Sequence, residues 1–238
     1  MAAAETDRSA AGMSSTGEAP ECPGNGSSTV NAAARVENLL EFLRIVGRLK
    51  EIKRTGWVRS GVPGAESVAD HMYRMAIMGF ALGKADGVDS AKCIKMALVH
   101  DLGESITGDL VTEGDKPDKI TREEKIEKER AALAEICSLA GPVGVEIRAL
   151  WDEFEEGKTA EARHLQDLDK FEMVLQANEY EEAHGNPLPS FFHTTEGRFR
   201  TPIFQALDAE VRRRRSIRLG GESADGAPSA KKARSDVG

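Results

Sequence analysis

The chain has 238 residues and a formal net charge of −8, which allows one or two domains and argues against general binding to nucleic-acid phosphates. Hydrophobic residues make up 40% of the chain, whereas aromatic residues make up only 5%, and β-branched runs are sparse. This composition favours helices that pack on Leu, Met, Ala and Ile. We therefore predict an all-α fold and no nucleic-acid partner.

The three cysteines Cys22, Cys93 and Cys137 form no CxxC pair, which is typical of a reducing compartment. No apolar run approaches the ~20 residues of a membrane span, and the first residues lack a hydrophobic signal core. We therefore expect no membrane contact and a cytoplasmic location. A nuclear address stays open, because KKAR at 231–234 follows RRRR at 212–215. The solvated end of a last helix is the simpler explanation of the arginine run.

Both ends of the chain lack a periodic apolar pattern. Residues 1–32 and 216–238 are rich in small and polar residues, so they cannot bury enough apolar surface to offset the entropy of ordering. We predict disordered tails there and one compact helical domain over residues 33–215.

Helical patterns, with almost no strand signal, fill the region between the tails. Gly and Pro mark the breaks, and Thr121 with Glu124 has the spacing of a capping box. The first helix is expected to use Leu39, Leu40, Phe42, Leu43, Ile45, Val46, Leu49 and Ile52 as its apolar positions. The predicted elements are a helix from Asn31 or Ala32 to about Arg54, a loop over 56–67, helices over 67–84 and from about 90 to between 103 and 108, a loop over 109–120, and helices over 121–140, 142–156, 159–183 and 202–215.

Histidine and carboxylate side chains occur inside two of these apolar helices. His71 stands in VADHMYRMAIM, and the pair His100-Asp101 stands in KMALVHDLGE. Burying an unpaired carboxylate is expensive or forces its protonation, and a bound cation removes that cost. An imidazole and a carboxylate at adjacent positions can reach one divalent ion, so we predict a metal site and hydrolytic chemistry. The competing interpretation is that these histidines are satisfied core residues, the commoner case for a single histidine on a helix.

Helical spacing adds a carboxylate to this site. Cys93, Ala97, His100 and Glu104 have the i, i+4, i+7, i+11 spacing of one helix face, so Glu104 is expected one turn beyond His100. A carboxylate there could hold or activate a water molecule at the metal. Asp109 follows shortly afterwards.

Three sequence blocks, in this order, resemble a known family: RTGWVRSGVPGAESVADHMYRMAIM, LVHDLGESITGD and LDKFEMVLQANEYE. With His71, His100-Asp101 and a late aspartate, they resemble the HD-domain superfamily of metal-dependent phosphohydrolases, and within it the HD-domain 5′-deoxynucleotidases. The likeness covers roughly residues 37–212. It implies a compact, all-helical HD-domain bundle, a homodimer, and hydrolysis of deoxynucleoside 5′-monophosphates to deoxynucleosides and phosphate.

The resemblance also implies roles for single residues. The matching positions are His71, His100, Asp101 and Asp169 for the metal, Glu104 for catalysis, Arg54 and Trp57 for the phosphate and nucleoside, and Glu104 and Asp109 for a second ion or the sugar. Mixed imidazole and carboxylate ligation does not select one metal, so Mn²⁺, Co²⁺, Mg²⁺ and Fe²⁺ all fit.

Several of these roles have competing interpretations. Asp167 and Asp169 flank the apolar stripe of their helix on opposite sides, so periodicity does not choose between them. Trp57 could equally anchor its loop in the core, and Arg54 could cap a helix C-terminus. For the whole chain, the rivals are another HD phosphohydrolase, acting on a dNTP or a cyclic nucleotide, and a non-catalytic helical adaptor. The three blocks contain no additional basic cluster of the kind a triphosphate would need.

Overall fold

The computed structural model describes residues 26–112 and 120–220. Within these ranges the chain is helical, and extended pairing is limited to one isolated bridge between Lys53 and Ser67. The prediction of an all-α fold is confirmed. The α-helices are α1 (Gly26–Gly47), α2 (Thr55–Arg59), α3 (Val68–Gly79), α4 (Ser90–Ala97), α5 (Glu104–Thr107), α6 (Arg122–Ala140), α7 (Pro142–Glu156), α8 (Ala160–His184), α9 (Pro189–Thr195) and α10 (Pro202–Arg218), with short 3₁₀ helices at Arg48–Lys50 and Lys84–Asp86.

Two clusters of buried apolar side chains hold these helices together. The larger cluster surrounds α8, which packs against α3, α4, α7, α9 and α10 and buries Leu165, Leu168 and Val174 completely. The smaller cluster joins α1, α6 and α7 through residues such as Leu133 and Trp151. Each such side chain contributes about 1.5–3 kcal/mol when it is fully buried. Because α8 runs through the larger cluster, any side chain on its inner face is held rigidly.

The predicted third helix is interrupted at the residues of greatest interest. α4 ends at Ala97 and α5 begins at Glu104, so His100 and Asp101 lie in consecutive turns between them. The N–H groups of Leu102 and Glu104 each donate to the carbonyl three residues earlier, and the four-residue spacing of an α-helix returns at Thr107. The expectation that His100 and Asp101 stand on a continuous helix is therefore wrong. Tighter turns change the angular spacing of side chains, so helical spacing does not decide which of these residues face one another.

Local signals marked most other helix ends correctly. At the start of α6, the Thr121 hydroxyl accepts the N–H of Glu124 and the Glu124 carboxylate accepts the N–H of Thr121, as the capping-box spacing predicted. α7 has the predicted limits, and α8 ends at His184, one residue later than predicted. The short helices α2 and α9 were not predicted, because so few residues carry little periodicity.

The first helix differs from its prediction at both ends and on one face. α1 begins at Gly26 and stops at Gly47, well before Arg54. Ile45 is buried as expected, whereas Leu39, Leu40 and Leu43 are exposed. The reason is that α1 packs against α5 and α6 on one side and leaves its other side uncovered.

The predicted tails lie mostly outside the described residues, and so does most of the loop over 109–120, whose residues 113–119 are not described. The domain limits of 33 and 215 stay predictions, although α1 and α10 extend a few residues beyond them. No helix in the described ranges combines the length and the apolar character needed to cross a membrane.

The arginine run at 212–215 lies in α10 and is only partly solvated. Arg212 donates to Asp208 within α10 and to the hydroxyl of Thr195 on α9, and Arg215 donates to both carboxylate oxygens of the buried Glu181 on α8. The other two arginines pair with Glu210 at the surface. Half of the run therefore fixes α10 in place. The KKAR segment lies outside the described residues.

Candidate active site

A cavity of about 520 Å³ opens between α2, α6, α8, α9 and the turns that precede α5. This volume falls in the range of small-molecule sites. Its wall is rich in charged side chains, which come from segments far apart in the sequence. These side chains are Arg54, Arg59, Asp101, Glu104, Asp109, Lys125 and Asp169.

Four of the sequence-predicted metal ligands meet at one end of this cavity. Ligand atoms of His71, His100 and Asp101 all lie within 4.8 Å of one another. The Nε2 atom of His71 is 3.2 Å from Oδ1 of Asp169 and 3.8 Å from Oδ2 of Asp101. The Nε2 atom of His100 is 3.2 Å from Oδ2 of Asp101. The fold thus brings α3, α8 and the turns before α5 together at this point.

The donor set at this point fits a divalent cation. Both Nε2 atoms are buried and lack a partner in hydrogen-bond geometry among the described residues, which is a costly state for a polar atom. The other ring nitrogens are engaged: Nδ1 of His100 lies 2.9 Å from the carbonyl of Ala97, and Nδ1 of His71 lies 2.6 Å from Glu172. A carbonyl only accepts, so Nδ1 of His100 carries a proton and Nε2 is the nitrogen that can give a lone pair to a cation. A cation between these lone pairs and the carboxylates would satisfy all of them.

The imidazoles and carboxylates at this point each stabilise the charged form of the other. Burial, the largest influence, would lower the pKa of His71, yet the carboxylates of Asp169 and Glu172 outweigh it and raise that pKa to about 9. Burial would raise the pKa of Asp101 and of Asp169, but the neighbouring imidazoles hold both below their usual range. Both carboxylates are therefore ionised. Without a metal, protons on the imidazoles balance them, so protons and a cation compete for the site.

Glu172, which sequence reasoning missed, orients His71 from behind. Its Oε2 faces Nδ1 of His71, while its Oε1 accepts from Nε of Arg74 at 2.8 Å. Glu172 stands three residues after Asp169 on α8, so both carboxylates project from the same side of that helix. This spacing within an apolar stretch is the signal that could have identified it.

Asp167 and Asp169 face different partners, although periodicity left them equivalent. Asp167 is completely buried, and its Oδ2 accepts the N–H groups of Arg200 and Thr201, both at 2.8 Å, and the Thr201 hydroxyl at 2.9 Å. These bonds fix the chain where it enters α10. Asp169 instead reaches the histidines. Tertiary contacts therefore place Asp169, and not Asp167, at the candidate metal site.

Arg54 and Asp109 meet at the first residues of α2. Arg54 occupies the N-cap of α2, and its Nη1 lies 3.4 Å from Oδ2 of Asp101. The interpretation of Arg54 as a helix C-cap is therefore wrong. The Asp109 carboxylate accepts the N–H of Thr55, and its carbonyl accepts the Thr55 hydroxyl at 2.9 Å. Asp109 thus lines the cavity and also holds the backbone beside Arg54.

Trp57 lines the cavity but is almost completely covered. It is 1% exposed, and its indole N–H donates to Oε1 of Glu66 at 2.9 Å. Phe191 of α9 covers it, with ring centroids 4.2 Å apart, and is itself half-buried in the cavity wall. The interpretation of Trp57 as a core anchor accounts for nearly all of its surface, and Phe191 provides the more accessible aromatic ring.

Glu104 is 1% exposed and pairs with Lys125 of α6, whose Nζ lies 3.1 Å from Oε1 of Glu104. Burial and the nearby Asp101 raise the pKa of Glu104 well above its usual value. Burial would lower the pKa of Lys125, but Glu104 and the other carboxylates raise it well above its usual value. Lys125 is a cavity cation from outside the three sequence blocks.

Residues 46–208 match the family model of the HD domain. The chain belongs to the HD-domain family. It is 50% identical over 189 residues to 5′-deoxynucleotidase HDDC2 of Dictyostelium discoideum, and the matched region covers 74% of this chain and 97% of that protein. It is 40% identical over 191 residues to 5′-deoxynucleotidase HDDC2 of Homo sapiens, with coverages of 79% and 91%.

A similar fold is found in a solved structure, a conserved hypothetical protein from Pyrococcus furiosus. That structure aligns with a TM-score of 0.58 and 30% sequence identity, over 73% of this chain and 99% of the other. The family model and the two named relatives confirm the resemblance inferred from the three sequence blocks.

Within this HD domain, sequence reasoning missed three site residues for different reasons. Glu172 had the right spacing from Asp169 but no motif of its own. Lys125 stands in a charged stretch, REEKIEKER, where nothing separates it from solvated neighbours. Phe191 belongs to the short helix α9, which was not predicted.

Proposed function

We propose that this HD-domain protein is a metal-dependent 5′-deoxynucleotidase, which hydrolyses deoxynucleoside 5′-monophosphates to deoxynucleosides and inorganic phosphate. The observation that carries the proposal is the cluster of two histidines and two aspartates at the end of a cavity that also contains Glu104 and Arg54. The relatives named 5′-deoxynucleotidases, which match most of this chain, support the substrate class.

The proposed metal ligands are His71, His100, Asp101 and Asp169. A divalent cation bound there would polarise the phosphoryl group and lower the pKa of a nearby water molecule. Mn²⁺, Co²⁺, Fe²⁺ and Mg²⁺ are the candidate ions, and the imidazole ligands favour the transition metals among them.

The charges of the cavity wall suggest that the cation is needed to bind the substrate as well as to activate it. Among the described residues, four carboxylates line the cavity together with the cations Arg54, Arg59 and Lys125. Even if Glu104 carries a proton, the wall has as much negative as positive charge, which does not attract a phosphate dianion. A divalent cation beside Asp101 and Asp169 would bind a phosphate oxygen directly, which the buried imidazoles, absent from the cavity wall, cannot do even when they are protonated. We therefore expect the metal-free protein to bind substrate poorly.

Glu104 and Arg54 would act on the reacting groups. Glu104 would orient the attacking water and accept its proton, and burial, which raises the pKa of this carboxyl, makes it a stronger base. Attack at phosphorus breaks the bond to the 5′ oxygen, which leaves with a proton as the deoxynucleoside hydroxyl. Arg54 would neutralise phosphate charge with its planar fork of donors.

The nucleoside would lie toward α9. Phe191 would offer an aromatic face to the base, and the buried Trp57 would support Phe191 from behind. Asp109 stays a proposed contact to the sugar or to a second ion, a role it would share with Glu104, because both line the same cavity.

The test is a metal-reconstitution experiment with a substrate panel. Protein stripped with a chelator should be inactive on deoxynucleoside monophosphates and should regain activity with Mn²⁺ or Co²⁺. Asp101→Ala should lose the metal, whereas Glu104→Ala should keep it and lose turnover. Equal hydrolysis of dAMP by metal-free and metal-loaded protein would contradict the proposal.

A dNTP phosphohydrolase is the second candidate, because Arg59 adds a cation to the cavity beyond Arg54. Phosphate release from dNMP, NMP, dNTP and cyclic nucleotides in one panel separates the two. A non-catalytic adaptor is disfavoured by the buried, unpartnered imidazole nitrogens, which an adaptor does not need.

A homodimer and a cytoplasmic location complete the proposal. Val36, Leu39, Leu40 and Leu43 form an exposed apolar stripe on α1 at helical spacing, as expected of a surface that another subunit covers. In a sedimentation experiment, the wild-type protein should be a dimer, whereas Leu40→Asp should be a monomer.

The buried, unpaired Cys93 is consistent with a reducing compartment, and the nucleus is the alternative location. Imaging of the tagged full-length chain separates the two locations.

A further inference from the structure

The turn that follows His100-Asp101 is packed tightly against α6. A Cβ atom on Gly103 would lie 3.2 Å from the backbone oxygen and 3.3 Å from the Cα of Glu129. Glycine at this position therefore allows the two backbones to approach closely. This contact also brings the neighbours of both residues together. Glu104 follows Gly103 in the turn, and Lys125 stands one helical turn before Glu129 on α6.

This packing places Lys125 between two buried carboxylates. Its Nζ lies 3.1 Å from Oε1 of Glu104 and 3.3 Å from Oε1 of Glu129. Among the described residues, Lys125 is the cation in ion-pair contact with Glu104, whose other oxygen is buried and has no hydrogen-bond partner. The orientation of the Glu104 carboxylate thus depends on a single charged contact, made by a residue 21 positions away.

We propose that Lys125 is a positioning residue, which holds the Glu104 carboxylate in its working orientation toward the candidate metal site. This inference rests on the proposed function. Glu129 keeps Lys125 directed at Glu104 through a pair four residues apart on the same helix. Lys125 acts through Glu104 and not on the phosphate, because its ammonium group is already shared by two carboxylates.

A double-mutant cycle tests this inference in the metal-loaded, full-length protein. The variants are Lys125→Met, Glu104→Gln and their combination, with steady-state kcat and KM for dAMP, bound metal and Tm measured for each. Lys125→Arg keeps the charge and should retain most of the rate. Lys128→Met is the matched control, because Lys128 is an exposed lysine on the same helix.

Lys125→Met should lower kcat about 10- to 100-fold, the effect of losing one charge-assisted hydrogen bond, with KM changed by less than about threefold. Bound metal should be unchanged. In the Glu104→Gln background, Lys125→Met should change the rate by less than about threefold, because the group it positions is already altered. If the residual rate of Glu104→Gln falls below detection, Glu104→Asp takes its place in the cycle. If Lys125→Met does not fold, the double variant Glu129→Gln/Lys125→Met takes its place.

Independent, multiplying losses of rate in the cycle would overturn the inference, since Lys125 would then act on the substrate directly. A raised KM with unchanged kcat, or no effect of Lys125→Met, would do the same and leave the proposed function intact. If the wild-type protein hydrolyses no deoxynucleoside monophosphate, both the proposed function and this inference fail.

Discussion

The carboxylate of Glu172 lies 2.6 Å from Nδ1 of His71, and both side chains are completely buried. The opposite oxygen of Glu172 is held by Arg74, so a chain of three side chains fixes the plane of the His71 ring. Carboxylates behind ligating histidines set the tautomer and raise the basicity of the free nitrogen. Nε2 of His71 is thereby aimed at Asp169 and Asp101.

Glu172→Ala should weaken metal binding about 10- to 100-fold, because His71 loses the partner that fixes its ring. Titration of the apoprotein with Mn²⁺, followed by the signal of the free ion, measures this. Glu179→Gln is the control, since Glu179 also pairs with Arg74 but is exposed. An unchanged affinity in Glu172→Ala would contradict the orienting role.

Replacement of each of the two aspartates of α8 by alanine should have a different effect. Asp169→Ala should lose the metal with little change in the stability of the apoprotein. Asp167→Ala should keep the metal but lose about 3–5 kcal/mol of unfolding free energy, because its buried donors lose their acceptor. Metal analysis and thermal unfolding of both variants provide the test. Metal loss in Asp167→Ala alone would reverse the assignment.

Phe191→Ala should impair hydrolysis of a substrate that has a base more than hydrolysis of a substrate that has none. Loss of a stacking ring should raise KM for dAMP about tenfold, whereas hydrolysis of 2-deoxyribose 5-phosphate, which has no base, should stay within about twofold. Phe80→Ala, at an exposed phenylalanine on the end of α3, is the control. Equal losses for both substrates would show that Phe191 supports the fold of the cavity and not the base.

Gly144→Ala should destabilise the packing of α6 on α7. A Cβ atom at Gly144 would overlap the carbonyl group of Cys137, so the two helices would have to move apart. We expect a loss of about 2–3 kcal/mol, or roughly 5–10 °C in Tm. Gly47→Ala is the control, because its nearest neighbour would be 4.0 Å away, and it should leave Tm nearly unchanged. A wild-type Tm for Gly144→Ala would contradict this close contact.

The sequence by itself determined the features that depend on neighbours along the chain. Helix periodicity, the capping box at Thr121 and the breaks at Gly and Pro are local effects, so they predicted the all-α fold and most helix limits. The unusual presence of histidine and aspartate in apolar stretches identified His71, His100 and Asp101, because burial of such groups demands a compensating partner wherever they lie.

Only the tertiary structure decided how these residues are arranged. It replaced the predicted helix through His100 with a series of turns, in which Gly103 packs closely against α6. It gave Asp167 to the start of α10, left Asp169 with the histidines, and brought Lys125 to Glu104 across 21 residues. These choices depend on contacts between distant segments, and periodicity along one helix contains no information about what packs against it.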